Sequence, residues 1–564
     1  MPDTIWTPIA GLHHWAAEQP DRVFLTQPHG GATTNITWSE AADQVHRLAG
    51  CIASLELPLG SRIALLSRNC ASCFIADLAI AMAGHVSVPI YPSLNAETLR
   101  HILAHSEARL LFVGPLDEAA SMAAGVPDDL ALVRMPGAPA LGNPDRTLAW
   151  ADVIIGHAPM SYPVPRGADE LARLVYTSGS TGLPKGVMCS FRSIEAGSRL
   201  LGNLTDIGPG DRMLSYLPLA HVFEAAAVEA NALRNGFRVY FSEGLDTFAA
   251  DLRRAQPTIF LSVPRLWVKF QQSVLAAVPQ ERLTELLRDP ASADATRRDV
   301  LVKLGLQDVR LAITGSAPMA PSVMQWYRDL GLELLEGYAM SEDFAYSHCS
   351  YPGRARIGYV GETLPGVQRR IAGTGEVQIK SPGGMLGYYR DPEQTAEAYT
   401  ADGWFRTGDL GEVDDAGRLR ITGRLKEIFK TAKGKYVAPV PIECRLAHSG
   451  IEAVCVSGAG QPQPFALLMP SALTAAGLHD TDGRTAFEAE ITALLERVNA
   501  DLEPHEQLAF ASVVADAWTI ENGLLTPTMK IRRSAIEARY ADRVAEWSAQ
   551  GRRVVWDAVQ TAAA

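Results

Sequence analysis

Long apolar runs are missing from this 564-residue chain. Its most hydrophobic stretch, Cys73 to Pro92, is broken by Asp77, His85 and Pro89, whereas a membrane-spanning helix needs roughly 20 consecutive apolar residues. The opening MPDTIWTPIAGLHHW also lacks the basic segment and apolar core of a secretory signal. The expectation is a soluble, cytoplasmic protein. An excess of basic charge is missing too. The 51 Lys and Arg face 63 Asp and Glu, for a net charge of −12, which argues against a nucleic-acid binder working through a broad cationic face. Cysteine is scarce and scattered: Cys51, Cys70, Cys73, Cys189, Cys349, Cys444 and Cys455. The single C-x-x-C, Cys70 to Cys73, has no second pair and no nearby histidines, so buried free thiols are expected rather than zinc or redox chemistry. There is no internal repeat, and no low-complexity segment beyond the final TAAA.

What is present is an ordinary globular composition, 47% hydrophobic and 20% charged, over a length that demands two to four domains. The first third alternates candidate strands (RIALLS, VSVPIY, RLLFVG) with candidate helices (CASCFIADLAIAMAGH, and AETLRHILAHSE capped by Asn95), which implies parallel sheets with helices on their faces. VRLAITG and LELLEGY continue the pattern, each ending in a glycine turn. In such folds ligands gather at the carboxyl ends of the strands. Beyond Gly375, GEVQIK and GRLRITGR alternate at period two around a DDAG turn, the pattern of a half-buried hairpin. From about Lys426, short strands (AVCVSG, FALLMP) are followed by the long helical TAFEAEITALLERVNADL. The expected architecture is an α/β large domain over 1–425, with parallel-type sheets, flanking helices and a β-rich subdomain. A smaller, mobile α+β domain is expected over 426–564.

The most informative stretch is VYTSGSTGLPKGVM, Val175 to Met188, directly after the strand-like LARLV. Its glycines let backbone approach a ligand, its hydroxyls donate hydrogen bonds and its lysine supplies a point charge. That is phosphate-cradle chemistry, although the spacing is not that of a Walker A loop. Other stretches stand out beside it: LSYLPLAHVFE with His221 and Glu224, EGYAMSED, GWFRTGDLG with Asp409, GRLKEIFKTAKGKY, and PTMKIRR with Lys530. Singly, each has an ordinary structural account, such as an Asx-turn or a solvated lysine.

Taken in order, these motifs resemble the adenylate-forming, AMP-producing ligase superfamily. PTIFLSVPRLW and LPLAHVFE are similar to its long-chain fatty acyl-CoA synthetase branch. The resemblance runs to about Arg533. It implies that a carboxylate attacks the α-phosphorus of ATP, giving acyl-adenylate and pyrophosphate, and that coenzyme A then displaces AMP. The first step brings two anions together, a repulsion of about 4 kcal/mol at contact for an effective dielectric of 20, so the site must supply cations and donors. By resemblance, Thr177, Ser178, Gly179, Ser180, Thr181 and Gly182 cradle the phosphates with Lys185. Glu342 holds Mg²⁺. The segments Gly315–Ser316–Ala317 and Glu336–Gly337–Tyr338, with Ser341 where threonine is more usual, receive the adenine. Asp409 and Arg424 hold the ribose. Lys530, Glu342, Thr181 and His221 form the catalytic set. Lys426 is the hinge about which the small domain turns, and the TAKGKY loop with Gly434 then lines the coenzyme A channel.

The chain departs from the resemblance at Ala225, where some long-chain synthetases carry a tryptophan gate; Trp267 or Phe223 are the candidates to replace it. Two other acceptor chemistries stay open on the same fold: a ligase loading a carrier protein, and a β-lactone synthetase acting on a 3-hydroxy acid. The short Gly366–Thr374 segment, without an insertion, favours coenzyme A. A fatty acid substrate is compatible with weak peripheral membrane contact.

Overall fold

A computed structural model describes residues 5–177, 183–448, 450–520, 522–526 and 529–557. Its largest sheet has eight strands. Six of them run parallel, in spatial order Leu171–Thr177, Val86–Ile90, Arg62–Leu66, Leu110–Val113, Ala131–Arg134 and Thr147–Ala149. The parallel succession expected from the first third is therefore present. On one side the sheet is extended by antiparallel pairing: Leu171–Thr177 turns back into Lys185–Ser190, which pairs with Gly387–Tyr388. Helix Ala71–Met82 is buried on nearly all sides, so it reads as a continuous apolar run rather than an amphipathic stripe. Asn95 caps the next helix, Ala96–Ser106, its side chain accepting from Thr98 N at 2.8 Å.

A second sheet places Ile259–Ser262, Leu311–Thr314 and Leu334–Tyr338 in parallel. A third, antiparallel sheet joins Gln368–Ile371, Glu376–Lys380, Phe405–Val413 and Leu419–Arg424. Its last hairpin turns at Asp414–Gly417, with Gly417 at φ 80°. The period-two pattern of GEVQIK suggested one wet face, but Glu376 and Gln378 are both buried. They satisfy each other, Gln378 Nε2 donating to Glu376 Oε2 at 3.0 Å, which lets a polar face go inside.

Residues from Phe429 onward form cores of their own around Ile451–Ser457, Phe465–Pro470, Ala511–Val513 and Val554–Trp556. Helix Thr481–Ala500, capped by Asp480, buries one stripe against them. An Arg265–Glu452 ion pair ties this C-terminal domain to the large one. All seven cysteines are free and six are buried. Among the described residues no helix is long and apolar enough to cross a membrane.

Candidate active site

The carboxyl ends of three strands, Thr177, Thr314 and Tyr338, point the chain into the loops that carry the motifs. Thr177 faces Lys185 across the antiparallel ladder, and among the described residues its buried hydroxyl finds no hydrogen-bond partner. Ser178, Gly179, Ser180, Thr181 and Gly182 lie outside the described residues. Lys185 Nζ stands 3.6 Å from Glu342 Oε1 and 3.7 Å from the centre of the Tyr388 ring. Burial lowers the Lys185 pKa, and the Glu342 charge opposes that shift. The Tyr388 hydroxyl donates to the same Glu342 oxygen at 2.8 Å. Glu342 sits in the short turn Ser341–Asp343. Its neighbour Asp343 is buried deeply enough that its pKa rises to about 8. Neither sequence motif nor spacing singled out Tyr388; it follows a glycine in a segment with no recognisable pattern, and only the ladder to Lys185–Ser190 brings it here.

A second cluster forms around Asp409. Its Oδ2 accepts from the Tyr338 hydroxyl at 2.7 Å, and its Oδ1 accepts from Arg424 Nε at 2.9 Å. Asp409 and Arg424 are cross-strand partners in the third sheet, so strand pairing fixes the geometry of this carboxylate–guanidinium contact. The Asp409 charge raises the Arg424 pKa. Thr407, which the sequence did not mark, holds the Asp409 backbone N–H through its Oγ1 at 3.1 Å.

Gly315, Ser316 and Ala317 follow the strand Leu311–Thr314. Ser316 lies at φ 71°, a left-handed conformation that a non-glycine residue adopts at a cost and that recurs at ligand sites. A methyl group placed on Gly315 would come within 3.2 Å of the Gly337 carbonyl oxygen and 3.9 Å of the Phe223 ring. Phe223 therefore borders this position, whereas Trp267 is fully buried, edge-on to Phe260 and Tyr327. His221 is the N-cap of the following helix, with Nδ1 accepting from Phe223 N at 3.3 Å. Burial and the nearby Lys530 charge hold its pKa at about 3, so it is neutral. Behind it, Asn69 Nδ2 donates to Glu224, Ser215 and Leu217 and fixes the LPLAHVFE turn.

Lys530 comes from the C-terminal domain. Its backbone N–H donates to Thr526 Oγ1 at 3.1 Å, next to Met529 at φ 62°. The lysine is exposed, yet partial desolvation of its ammonium lowers the pKa to about 8; Arg424 acts in the same direction, and Asp409 and Glu427 oppose it. Lys530 thus feels the charges of Arg424, Asp409 and Glu427, and its own charge reaches His221. Lys426 is exposed after the strand Leu419–Arg424, and its charge reaches Lys185. Two candidates have other partners. Glu336 is buried, accepts from Met319 N at 3.4 Å, and has its pKa raised to about 7 by burial. Gly434, at φ 77°, closes the Thr431–Tyr436 turn by donating to Thr431 O at 2.9 Å, and that turn bonds to Gln461 of its own domain.

A large α/β unit whose strand ends carry these clusters, with a C-terminal domain bringing a lysine to them, is the fold of an adenylation enzyme. The chain belongs to the AMP-binding enzyme family, which matches residues 12–389, and the C-terminal domain of AMP-binding enzymes matches residues 427–550. It is 32% identical to the long-chain-fatty-acid–CoA ligase FadD15 of Mycobacterium bovis, over 93% of this chain and 94% of that one. It is 30% identical to long-chain-fatty-acid–CoA ligase 1 of Homo sapiens, over 89% and 81%. Among solved structures it resembles the adenylation domain of a carboxylic acid reductase from Segniliparus rugosus in complex with AMP and a co-purified carboxylic acid. There the TM-score is 0.79 and the identity 23%, covering 96% of this chain and 93% of that one.

Proposed function

We propose that the chain activates a medium- to long-chain fatty acid with ATP, releasing pyrophosphate, and then transfers the acyl group from AMP to coenzyme A. The observation that carries this reading is that Asp409, held at a strand end by Tyr338 and Arg424, lies within electrostatic reach of Lys530 from the C-terminal domain. In this reading the Thr177–Lys185 hairpin receives the β- and γ-phosphates. Asp409, pre-aligned by Arg424 and Thr407, accepts from the ribose hydroxyls, and the Tyr338 ring covers the adenine. The neutral His221 lies beside the incoming carboxylate without adding charge. The Lys530 ammonium neutralises the oxygens of the carboxylate and α-phosphate as the new bond forms. Glu342, a hard carboxylate held by Tyr388, fits Mg²⁺, which when bound offsets phosphate charge.

Coenzyme A is preferred over a carrier protein as acceptor because Gln368–Ile371 turns directly into Glu376–Lys380, with no insertion between them. The small domain, hinged at Lys426, swings Lys530 out and the Gly434 turn in for the second step. In this reading the reaction runs in the cytoplasm. The test is pyrophosphate release over a panel of C6 to C18 acids, with and without coenzyme A, with thioester measured separately. Release that depends on a fatty acid, with thioester formed from coenzyme A, is expected. Release without thioester would favour the carrier-protein or β-lactone chemistry.

A further inference from the structure

The helix Ala96–Ser106 places His101 and His105 one turn apart on one face, their rings 5.5 Å apart and nearly parallel. That face lies against the two arms of the hairpin that ends in Thr177 and begins again at Lys185. His101 Nε2 donates to the Pro184 carbonyl at 3.2 Å, and Pro184 immediately precedes Lys185. His105 Nδ1 is hydrogen-bonded to the Tyr176 hydroxyl at 2.8 Å, and Tyr176 immediately precedes Thr177. The His105 ring also stands edge-on to Tyr389, 5.7 Å between centres, whose backbone N–H donates to Gly186 O at 2.8 Å. Burial, with His101 and Arg390 close by, keeps the His105 pKa below its ordinary value, in keeping with a neutral hydrogen-bonding ring.

We infer that His101 and His105 are positioning residues that hold the two arms of the hairpin at the separation its phosphate ligand requires. The inference rests on the reading above, that this hairpin takes the β- and γ-phosphates of ATP. One helix grips the residue before each of Thr177 and Lys185, so a rigid element outside the loop reinforces the spacing that the Thr177–Lys185 ladder sets. Neither imidazole touches the ligand. Their effect should fall on nucleotides that reach the hairpin and spare those that do not. AMP, which has only the α-phosphate, uses the Tyr338–Asp409 cluster and provides the internal comparison.

The experiment measures ATP and AMP binding by calorimetry to the purified full chain, without acid substrate. The variants are His101→Ala/His105→Ala and the isosteric pair His101→Gln/His105→Asn, whose amides replace the same ring nitrogens. The loss of two hydrogen bonds predicts about tenfold weaker ATP binding in the alanine pair. AMP binding should stay within about twofold of wild type, and the amide pair should recover most of the ATP affinity. Equal losses for ATP and AMP, or unchanged ATP binding in the alanine pair, would overturn the inference. If the wild-type protein itself binds ATP no more tightly than AMP, and Lys185→Ala changes neither, then it is the underlying phosphate reading that fails.

Discussion

Lys185 and Glu342 form a 3.6 Å ion pair in which the Tyr388 hydroxyl also takes part, donating to the same carboxylate oxygen at 2.8 Å. The carboxylate is thus held from two sides before any nucleotide arrives. If Glu342 positions Mg²⁺ against the phosphates, Glu342→Ala should lower pyrophosphate release by ~10² or more. Tyr388→Phe removes one of two restraints and should cost about 10-fold or more, the worth of a hydrogen bond to a charged group. Steady-state rates at saturating ATP check both. Wild-type turnover in Glu342→Ala would remove that residue from the site.

Gly315 borders the Phe223 ring. A Cβ there meets the Gly337 carbonyl oxygen at 3.2 Å, tight but tolerable for alanine, while a longer side chain must extend past Phe223. Gly315→Leu should therefore shift the preferred acid toward shorter chains while the protein still folds. Comparing kcat/KM over C6 to C18 acids, with thermal melts as the folding control, decides this. An unchanged chain-length profile at full activity would place the acyl group elsewhere.

Arg173 is almost fully buried between Asp77, at 2.5 Å, and Glu229, at 2.8 Å. The two carboxylates raise its pKa, while burial raises that of Glu229. Removing the guanidinium leaves Asp77 uncompensated, so Arg173→Leu should destabilise the fold by about 3–5 kcal/mol. Urea unfolding measures it; a loss below 1 kcal/mol would mean the pair is far better solvated than its burial indicates.

If Lys530 acts as the ammonium, its pKa of about 8 in the free protein decides when that charge is available. Below that pH the charge is present, and above it the charge is lost. kcat/KM for ATP, which reports the free enzyme, should decline above about pH 8. His221, with its pKa near 3, should contribute no limb between pH 5 and 8. The alkaline limb should vanish from the residual activity of Lys530→Ala. If it persists there, another group is responsible.

Much of this arrangement could be read from the sequence. Strand–helix alternation predicted the parallel sheet, Asn95 announced its helix, and glycine and hydroxyl residues marked the hairpin at Thr177–Lys185. Asp409 and Arg424 lie in separate motifs, yet strand pairing joins them. What escaped was long-range and carried by ordinary residue types. Tyr388 reaches Glu342 only because Gly387–Tyr388 pairs with Lys185–Ser190. Thr407 matters through its hydroxyl two residues from Asp409. His101 and His105 lie in a candidate helix, and nothing local says which element that helix will face. The buried polar face of Glu376–Lys380 misled the periodicity because two polar side chains satisfy one another.

The central claim is that one lysine serves the first half-reaction and leaves before the second. Removing its charge should cost ~10²-fold in adenylation, about 3 kcal/mol of transition-state stabilisation. Lys426→Pro fixes φ at the proposed hinge, while the turn's backbone bonds come from Leu425, Glu427 and Ile428, so the adenylating arrangement can still form. The decisive measurement is both half-reactions on both variants. Lys530→Ala should release little pyrophosphate, yet convert synthetic acyl-AMP and coenzyme A to thioester at close to the wild-type rate. Lys426→Pro should release pyrophosphate and stall with bound acyl-AMP. Equal slowing of both halves in each variant would contradict the alternating-domain account and leave Lys530 as a structural residue of the cleft.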